Sequence, residues 1–377
     1  MDEDSVIEAA VAGTGLADFG SDDHLEPLRV LLSSLEQDAQ LTFVGRVAAR
    51  SQVITLLANR LRMQDWWTRH PEILTQPVAG PVFVVGLPRS GTTLLQQLLA
   101  CDEDNRSLLF WEATRPAPPP DRETYESDPR IAAAARAQRV LDYVAPEANR
   151  LHPVGAQLPT ECVSLLAHSF ASLELGAINR VPAHLEWCLQ ADLAPHYRYF
   201  RAQLQLLQWR CPGARWTLKS PAHLLALDAL FEVFPDARVV WLHRDPATSV
   251  TSHCSLVSVL HAIGSDAVDR QGIGREWSHV WGEAVTRALQ VRAVRRTAVH
   301  DVAYADLVGD PVGTVAALYA WMGVDLHPAS AQAMRSFLVE QNHHHRGVHR
   351  YAPEDFGLDA QALRSGPFAA YTASFAN

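Results

Sequence analysis

Residues 83–99 read "FVVGLPRSGTTLLQQLL": a hydrophobic run enters Gly86, four residues intervene, and Gly91 opens an apolar helix. Strand, glycine-bounded turn and helix in that order build an anion site from the backbone itself. Glycine lets the chain wrap closely around an oxyanion, successive N–H groups converge on it, and the helix turns its positive end inward. In a nucleoside-triphosphate site the second glycine is followed by a lysine for the β and γ phosphates, then by a hydroxyl for magnesium. Here Thr92 occupies the lysine's place, Thr93 follows, and the nearest cation is Arg89, a planar fork of donors. Arg89, Ser90, Gly91, Thr92 and Thr93 are therefore expected to cradle a phosphate, and the question is which one.

Three further short runs, residues 216–219, 238–242 and 299–304, join 81–85 as strand candidates, with helical patterns between them. That alternation implies crossovers and a parallel sheet. The fold class expected is α/β, with a P-loop-like central parallel sheet flanked by helices. Ahead of it, Leu28, Leu31, Leu32 and Leu35 fall at i, i+3, i+4 and i+7 behind Pro27, and residues 41–63 form a second amphipathic stretch. Residues 1–75 thus read as a helical extension, and 150–210 as a helical cap inserted beside the sheet. No linker separates these parts, so residues 1–377 are expected to form a single domain.

Nearly half of the 377 residues are apolar, enough for a sizeable core, and the net charge of -10 argues against general nucleic-acid binding, which needs a basic surface. The five cysteines are scattered without a C-x-x-C pair, the N-terminus is acidic, and no apolar run approaches the length of a membrane span. A cytoplasmic location without a membrane span is expected, and a homo-oligomeric state is left open. His343, His344 and His345 are consecutive. They cannot all face one ion on regular structure, so no metal site is expected.

A second anion site is legible in "ARVVWLHRDPATSVTSH", residues 237–253. A strand runs into Arg244, Asp245 fits an N-cap, and Pro246 the first helical position. Arg244 falls at a strand's C-terminal end, where open α/β sheets bind ligands. Ser249 and Ser252 are three apart and share a helical face.

With both sites in view, the chain resembles the sulfotransferases that use 3′-phosphoadenosine-5′-phosphosulfate (PAPS). "GLPRSGTTLL" looks like their 5′-phosphosulfate loop, and the resemblance, over roughly residues 70–355, is closest to a bacterial branch with "GLPRSGTT", "LKSP" and "FPDARVVWLHRDP". It implies a 3′-phosphate site at Arg244 and Ser252. It implies an adenine contact at Tyr304 in "YADLVGDP", although Ala305 stands where an acid is common, and a further 3′-phosphate contact at Arg346 and Gly347. PAPS is then the donor and its desulfonated bisphosphate the product. The acceptor is a hydroxyl on a small or lipidic molecule, because the cap is rich in Leu, Ala, Trp and His.

Sulfuryl transfer to an alcohol asks the protein for cations near the SO₃ group and a base for the hydroxyl proton. "WTLKSPAHLL" supplies both from one turn: Lys219 ends a strand, Ser220 caps, Pro221 begins a helix, and His223 lies in its first turn. The positive helix end favours a neutral imidazole there. His223 is the first expectation for the base, Glu112 in "LLFWEA" the second, and Glu161 in "LPTECVSLL" the third, with Lys219 as the sulfate contact. The competing readings are a P-loop kinase or NTPase with a degenerate loop, and a nucleotide-binding module without catalysis.

Overall fold

A computed structural model of the chain describes residues 1–147, 154–342 and 351–375. Five strands form one parallel sheet in the order β2-β3-β1-β4-β5: β1 (Val82–Gly86), β2 (Asn105–Ser107), β3 (Arg215–Lys219), β4 (Arg238–His243) and β5 (Val299–Ala303). The four strands expected from the sequence are all present, β1 shifted along the chain by one residue and the other three differing by one residue at one end. The edge strand β2 was not expected, since three polar residues carry no hydrophobic period. Its Asn105 is placed by pairing with Arg215 of β3. β1 is buried along its whole length, as a central parallel strand covered on both faces must be.

The register decides where chemistry can occur. Val84 lies opposite Lys219, Gly86 opposite Leu242, and His243 opposite Ala303. The residues that leave these strands, the loop after Gly86, Ser220, Arg244 and Tyr304, therefore emerge along one edge. β1 stands between β3 and β4, so the edge opens a crevice at the topological switch point of the sheet.

Helices α1 (Glu3–Thr14), α2 (Leu25–Gln37) and α3 (Phe43–Arg69) make up the N-terminal part. The stripe Leu28, Leu31, Leu32 and Leu35 is buried with Val6 and Leu57, and with Ala167, Phe170 and Val181 of the cap. Each such side chain contributes about 1.5–3 kcal/mol. Thr42 caps α3 by accepting from the Gly45 N–H at 3.0 Å. At Gly45 the helix crosses the end of the helix Pro246–Gly264 so closely that a Cβ there would lie 1.9 Å from the Gly264 carbonyl oxygen. Within the cap, helices Val163–Leu166, Leu173–Ile178, Pro182–Gln190 and Ala194–Gln208 share a hydrophobic core with Phe83 and Leu218 of the sheet. Helix α4 (Thr92–Leu99) follows β1 through the glycine loop.

Candidate active site

The loop is shaped by two glycines and one strained arginine. A Cβ on Gly86 would lie 2.6 Å from both the Leu242 carbonyl oxygen and Ser90 Oγ, so only glycine fits. Gly91 caps α4 at φ +93°, and a Cβ there would press to 3.0 Å on the Tyr304 ring. Arg89 also has a positive φ, 67°, a strain of about 1–2 kcal/mol for a side chain with a Cβ. Its carbonyl is fixed by Arg244, whose Nη1 donates to it at 2.6 Å. Thr92 is buried, and Ser90 Oγ is buried with no hydrogen-bond partner among the described residues.

Arg244 thereby ties the two expected phosphate sites together. Its guanidinium lies 4.2 Å from the centre of the Tyr304 ring, and its N–H donates to the Tyr371 hydroxyl at 3.2 Å. Asp245 accepts from the Thr248 N–H at 3.0 Å and from its hydroxyl at 2.7 Å, and pairs with Arg364 at 2.7 Å. Burial pushes this carboxyl up, but the hydrogen bonds from Arg364 and Thr248 outweigh it and bring the pKa down to about 2. Asp245 is a cap, committed to its helix, as expected. Ser249 and Ser252 are both buried on that helix, and Ser249 Oγ has no partner among the described residues. Ser252 does not line the cavity, whereas its neighbour His253 does.

Lys219 ends β3 almost wholly buried, and its Nζ donates to Glu161 Oε1 at 2.5 Å and to Thr93 Oγ1 at 3.5 Å. Glu161 is held there by backbone on both sides. Thr160 N–H donates to the Leu108 carbonyl at 2.8 Å, and Cys162 N–H to the Lys219 carbonyl at 3.0 Å. The cation, the loop hydroxyl and a carboxylate thus meet at one point, although Glu161 ranked last among the three bases expected from the sequence.

The other two bases lie elsewhere. His223 is fully buried and absent from the cavity wall. The Tyr197 hydroxyl sits 2.6 Å from its Nδ1, Phe83 meets its ring edge-on, and Nε2 has no partner among the described residues. Burial, opposed by the Glu161 charge, pushes its pKa down to about 3. The ring is neutral, as expected, but because it is desolvated rather than because of a helix end. Glu112 is equally buried, held by Arg106 Nη1 at 3.0 Å, by Arg106 Nη2, and by the Leu109 N–H at 3.0 Å. It forms an ion pair with Arg106 and a capping hydrogen bond, and it does not line the cavity. Arg346, Gly347 and the run His343, His344 and His345 lie outside the described residues.

A cavity of about 510 Å³ opens among these parts; Lys219, like His223, is not on its wall and meets it through Glu161 and Thr93. Its polar end is walled by Arg89, Thr92, Thr93, Glu161, Arg244 and Tyr304, and its other end by Phe110, Leu173, Leu256, Leu260, Trp277 and Trp281. His253 meets the edges of both tryptophans, with ring centres 4.5 and 5.5 Å apart. The apolar wall was not anticipated. Its signal was the i, i+4 spacing of Leu256 with Leu260 and of Trp277 with Trp281, each pair on one helical face. Glu174 and Ser164, also on this wall, gave no signal at all. Among the described residues no cluster of three or more His, Cys, Asp or Glu could hold a metal ion, and no helix is long and apolar enough to cross a membrane.

The model of the Sulfotransferase family matches residues 81–328. Among solved structures, sulfotransferase STF1 from Mycobacterium tuberculosis is 34% identical, with 98% of this chain and 99% of that one covered and a TM-score of 0.88. Sulfotransferase STF9 from Mycobacterium avium is 30% identical, with 99% and 96% covered and a TM-score of 0.91. A curated relative, the omega-hydroxy-beta-dihydromenaquinone-9 sulfotransferase Stf3 of Mycobacterium bovis, is 26% identical over 266 residues, 69% of this chain and 67% of its own length.

Proposed function

The chain belongs to the sulfotransferase family, and from that premise we propose that it transfers a sulfuryl group from PAPS to the hydroxyl of an apolar alcohol. The observation that carries this reading is the single cavity with a cationic, hydroxyl-rich end and an apolar end. A relative named for a menaquinone derivative supports the same acceptor class. Membership of the family removes the kinase reading, and Asp245, the acid that follows β4, is committed as a cap and as the partner of Arg364.

The residues present suit the donor. Gly86 and Gly91 leave backbone space that a Cβ would fill, and Ser90 and Ser249 carry buried hydroxyls without protein partners among the described residues. On this reading Arg89, Ser90, Gly91, Thr92 and Thr93 hold the 5′-phosphate, Arg244 and Ser252 the 3′-phosphate, and Tyr304 borders the base. Arg346 and Gly347 remain the further 3′-phosphate contact that the resemblance implies. The donor supplies a sulfuryl group already attached to a phosphate leaving group.

The protein's part is then positioning, charge stabilisation and one proton. Glu161 takes the proton of the acceptor hydroxyl, with its carboxylate aimed by the backbone bonds that flank it. Lys219 and Thr93 present donors where negative charge gathers on the transferring oxygens, a preorganised arrangement that needs no rearrangement during the reaction. His223, beneath the cavity, supports the turn that carries Lys219. Cytoplasmic placement is supported by the five free thiols.

Thermal unfolding with adenosine 3′,5′-bisphosphate, set against ATP with magnesium, tests the donor. At 100 times its Kd a ligand adds about 2.7 kcal/mol to stability, and the bisphosphate alone is expected to do so. Stabilisation by ATP-magnesium alone would overturn the donor assignment.

A further inference from the structure

Glu174 is a carboxyl in an apolar wall. It projects from the helix Leu173–Ile178 into the cavity beside Leu173, Ala177 and Ile178. Its backbone is fixed by Ser172, whose Oγ accepts from the Glu174 N–H at 3.2 Å. One carboxyl oxygen, Oε1, accepts from Ser164 Oγ at 2.9 Å. Among the described residues no arginine or lysine pairs with Glu174, and Oε2 has no hydrogen-bond partner. Ser164 itself follows Glu161 by one turn, its N–H donating to the Glu161 carbonyl at 3.4 Å, so the hydroxyl that orients Glu174 and the Glu161 carboxyl are carried on one short piece of backbone. Burial, opposed by Ser164 and reinforced by the Glu161 charge, pushes the Glu174 pKa up to about 7.

Glu174 is partly exposed to the cavity, so an apolar acceptor filling that space would strip hydration from Oε2 without a partner in return. Neither an ion pair nor a helix cap accounts for the side chain. An all-hydrocarbon acceptor would leave Oε2 facing apolar atoms. We propose that Glu174 is a specificity-determining residue: Ser164 orients it, and its free oxygen hydrogen-bonds a second oxygen function on an otherwise apolar alcohol, away from the hydroxyl that is sulfonated. The inference rests on the sulfotransferase reading of the cavity and narrows its acceptor class to alcohols with two oxygen functions.

The test uses the full chain saturated with adenosine 3′,5′-bisphosphate, and linear α,ω-diols of graded length matched to mono-alcohols of the same chain length. Calorimetry reports the affinity ratio for each pair. One diol length is expected to be favoured by about 5- to 150-fold, the range of one satisfied buried hydrogen bond. Glu174→Gln should retain that ratio, since the amide still donates and accepts. Glu174→Leu should bring it to unity while leaving the mono-alcohols bound, a result that mere loss of packing would not produce. With ω-alkoxy alcohols, whose ether can only accept, the wild-type preference should fade above about pH 7 as the carboxyl ionises, and in Glu174→Gln it should not. A ratio unchanged in Glu174→Leu, or no preference at any length, overturns the inference. So does binding of bisphosphate without binding of any alcohol, which leaves the donor reading standing. Loss of bisphosphate binding counts against the reading beneath it.

Discussion

The Lys219–Glu161 pair offers a test in which structure and catalysis move in opposite directions. The Lys219 side chain is 2% exposed and that of Glu161 19%, with Nζ and Oε1 2.5 Å apart. Removing one partner of a buried pair costs about 3–5 kcal/mol, because the other charge is left uncompensated. Lys219→Met removes the ammonium from a carboxylate that is partly hydrated, so its cost should lie near the lower end, about 3 kcal/mol. Glu161→Gln strands the more deeply buried ammonium and should cost nearer about 5 kcal/mol. The double variant removes both charges and should be more stable than either single one, since an apolar replacement of a buried pair is often neutral. Turnover should not follow. Losing a preorganised donor costs about 10²–10³ in kcat, and losing a general base about 10²–10⁴, so the double variant should regain stability yet stay at least as slow as the slower single one. Urea unfolding and transfer of labelled sulfate from PAPS to an alcohol measure the two quantities. A double variant that recovers turnover together with stability would show the pair to be structural, and the mechanism built on it would fall.

Two other perturbations probe different parts of the molecule. Gly91→Ala forces a Cβ into a φ of +93° and against Tyr304 at 3.0 Å and Leu307 at 3.2 Å. It should cost about 1–3 kcal/mol and weaken bisphosphate binding, seen as a smaller thermal shift; an unchanged shift would mean that the loop does not hold the nucleotide. Burial pushes His24, His168, His184 and His196 down to about 4 and His223 to about 3, against an ordinary 6.5. Each is neutral in the fold and gains a proton on unfolding, so its contribution is complete above pH 6.5 and is lost as pH falls towards its folded value. Five protons at about 1.4 kcal/mol per pH unit each approach the whole stability of a domain within one or two units. The urea midpoint should therefore drop steeply from about pH 6.5 downward, and a midpoint flat between pH 7 and 5 would refute the assignment.

The sheet was legible because its central strands are continuous apolar runs with helices between them, a pattern that follows directly from burial on both faces. β2 was not, because Asn105, Arg106 and Ser107 form a strand only by pairing with β3. His223 is placed off the cavity wall. Sequence places it in the first turn of a helix after Ser220, and the cap is indeed there, with Ser220 Oγ accepting from the Ala222 N–H at 3.1 Å. But residues Pro221–Ala226 wind as a 3-10 helix, at three residues per turn rather than 3.6. The imidazole there meets Phe83 edge-on and does not line the cavity. Glu112 is committed to Arg106, which lies in the unforeseen strand β2. Both placements depend on side-chain direction, which hydrophobic periodicity does not encode.

Glu161 shows the converse. Nothing in "LPTECVSLL" distinguishes its carboxylate from an ordinary surface acid, and the position becomes meaningful only through the backbone bonds to Leu108 and Lys219. The same logic accounts for the lysine absent from the glycine loop. A loop lysine moves with the loop and grips the end of a triphosphate. Lys219 instead ends β3 in register with Val84, so its ammonium is positioned by the sheet and reaches the loop from the side, at Thr93. On the proposed reading that is where a sulfuryl donor needs it: the charge to be stabilised lies between loop and acceptor, not at the end of a phosphate chain. Because the same ammonium contacts Glu161, cation and carboxylate are held side by side by the sheet and its flanking backbone, an arrangement that a lysine carried on the loop could not provide.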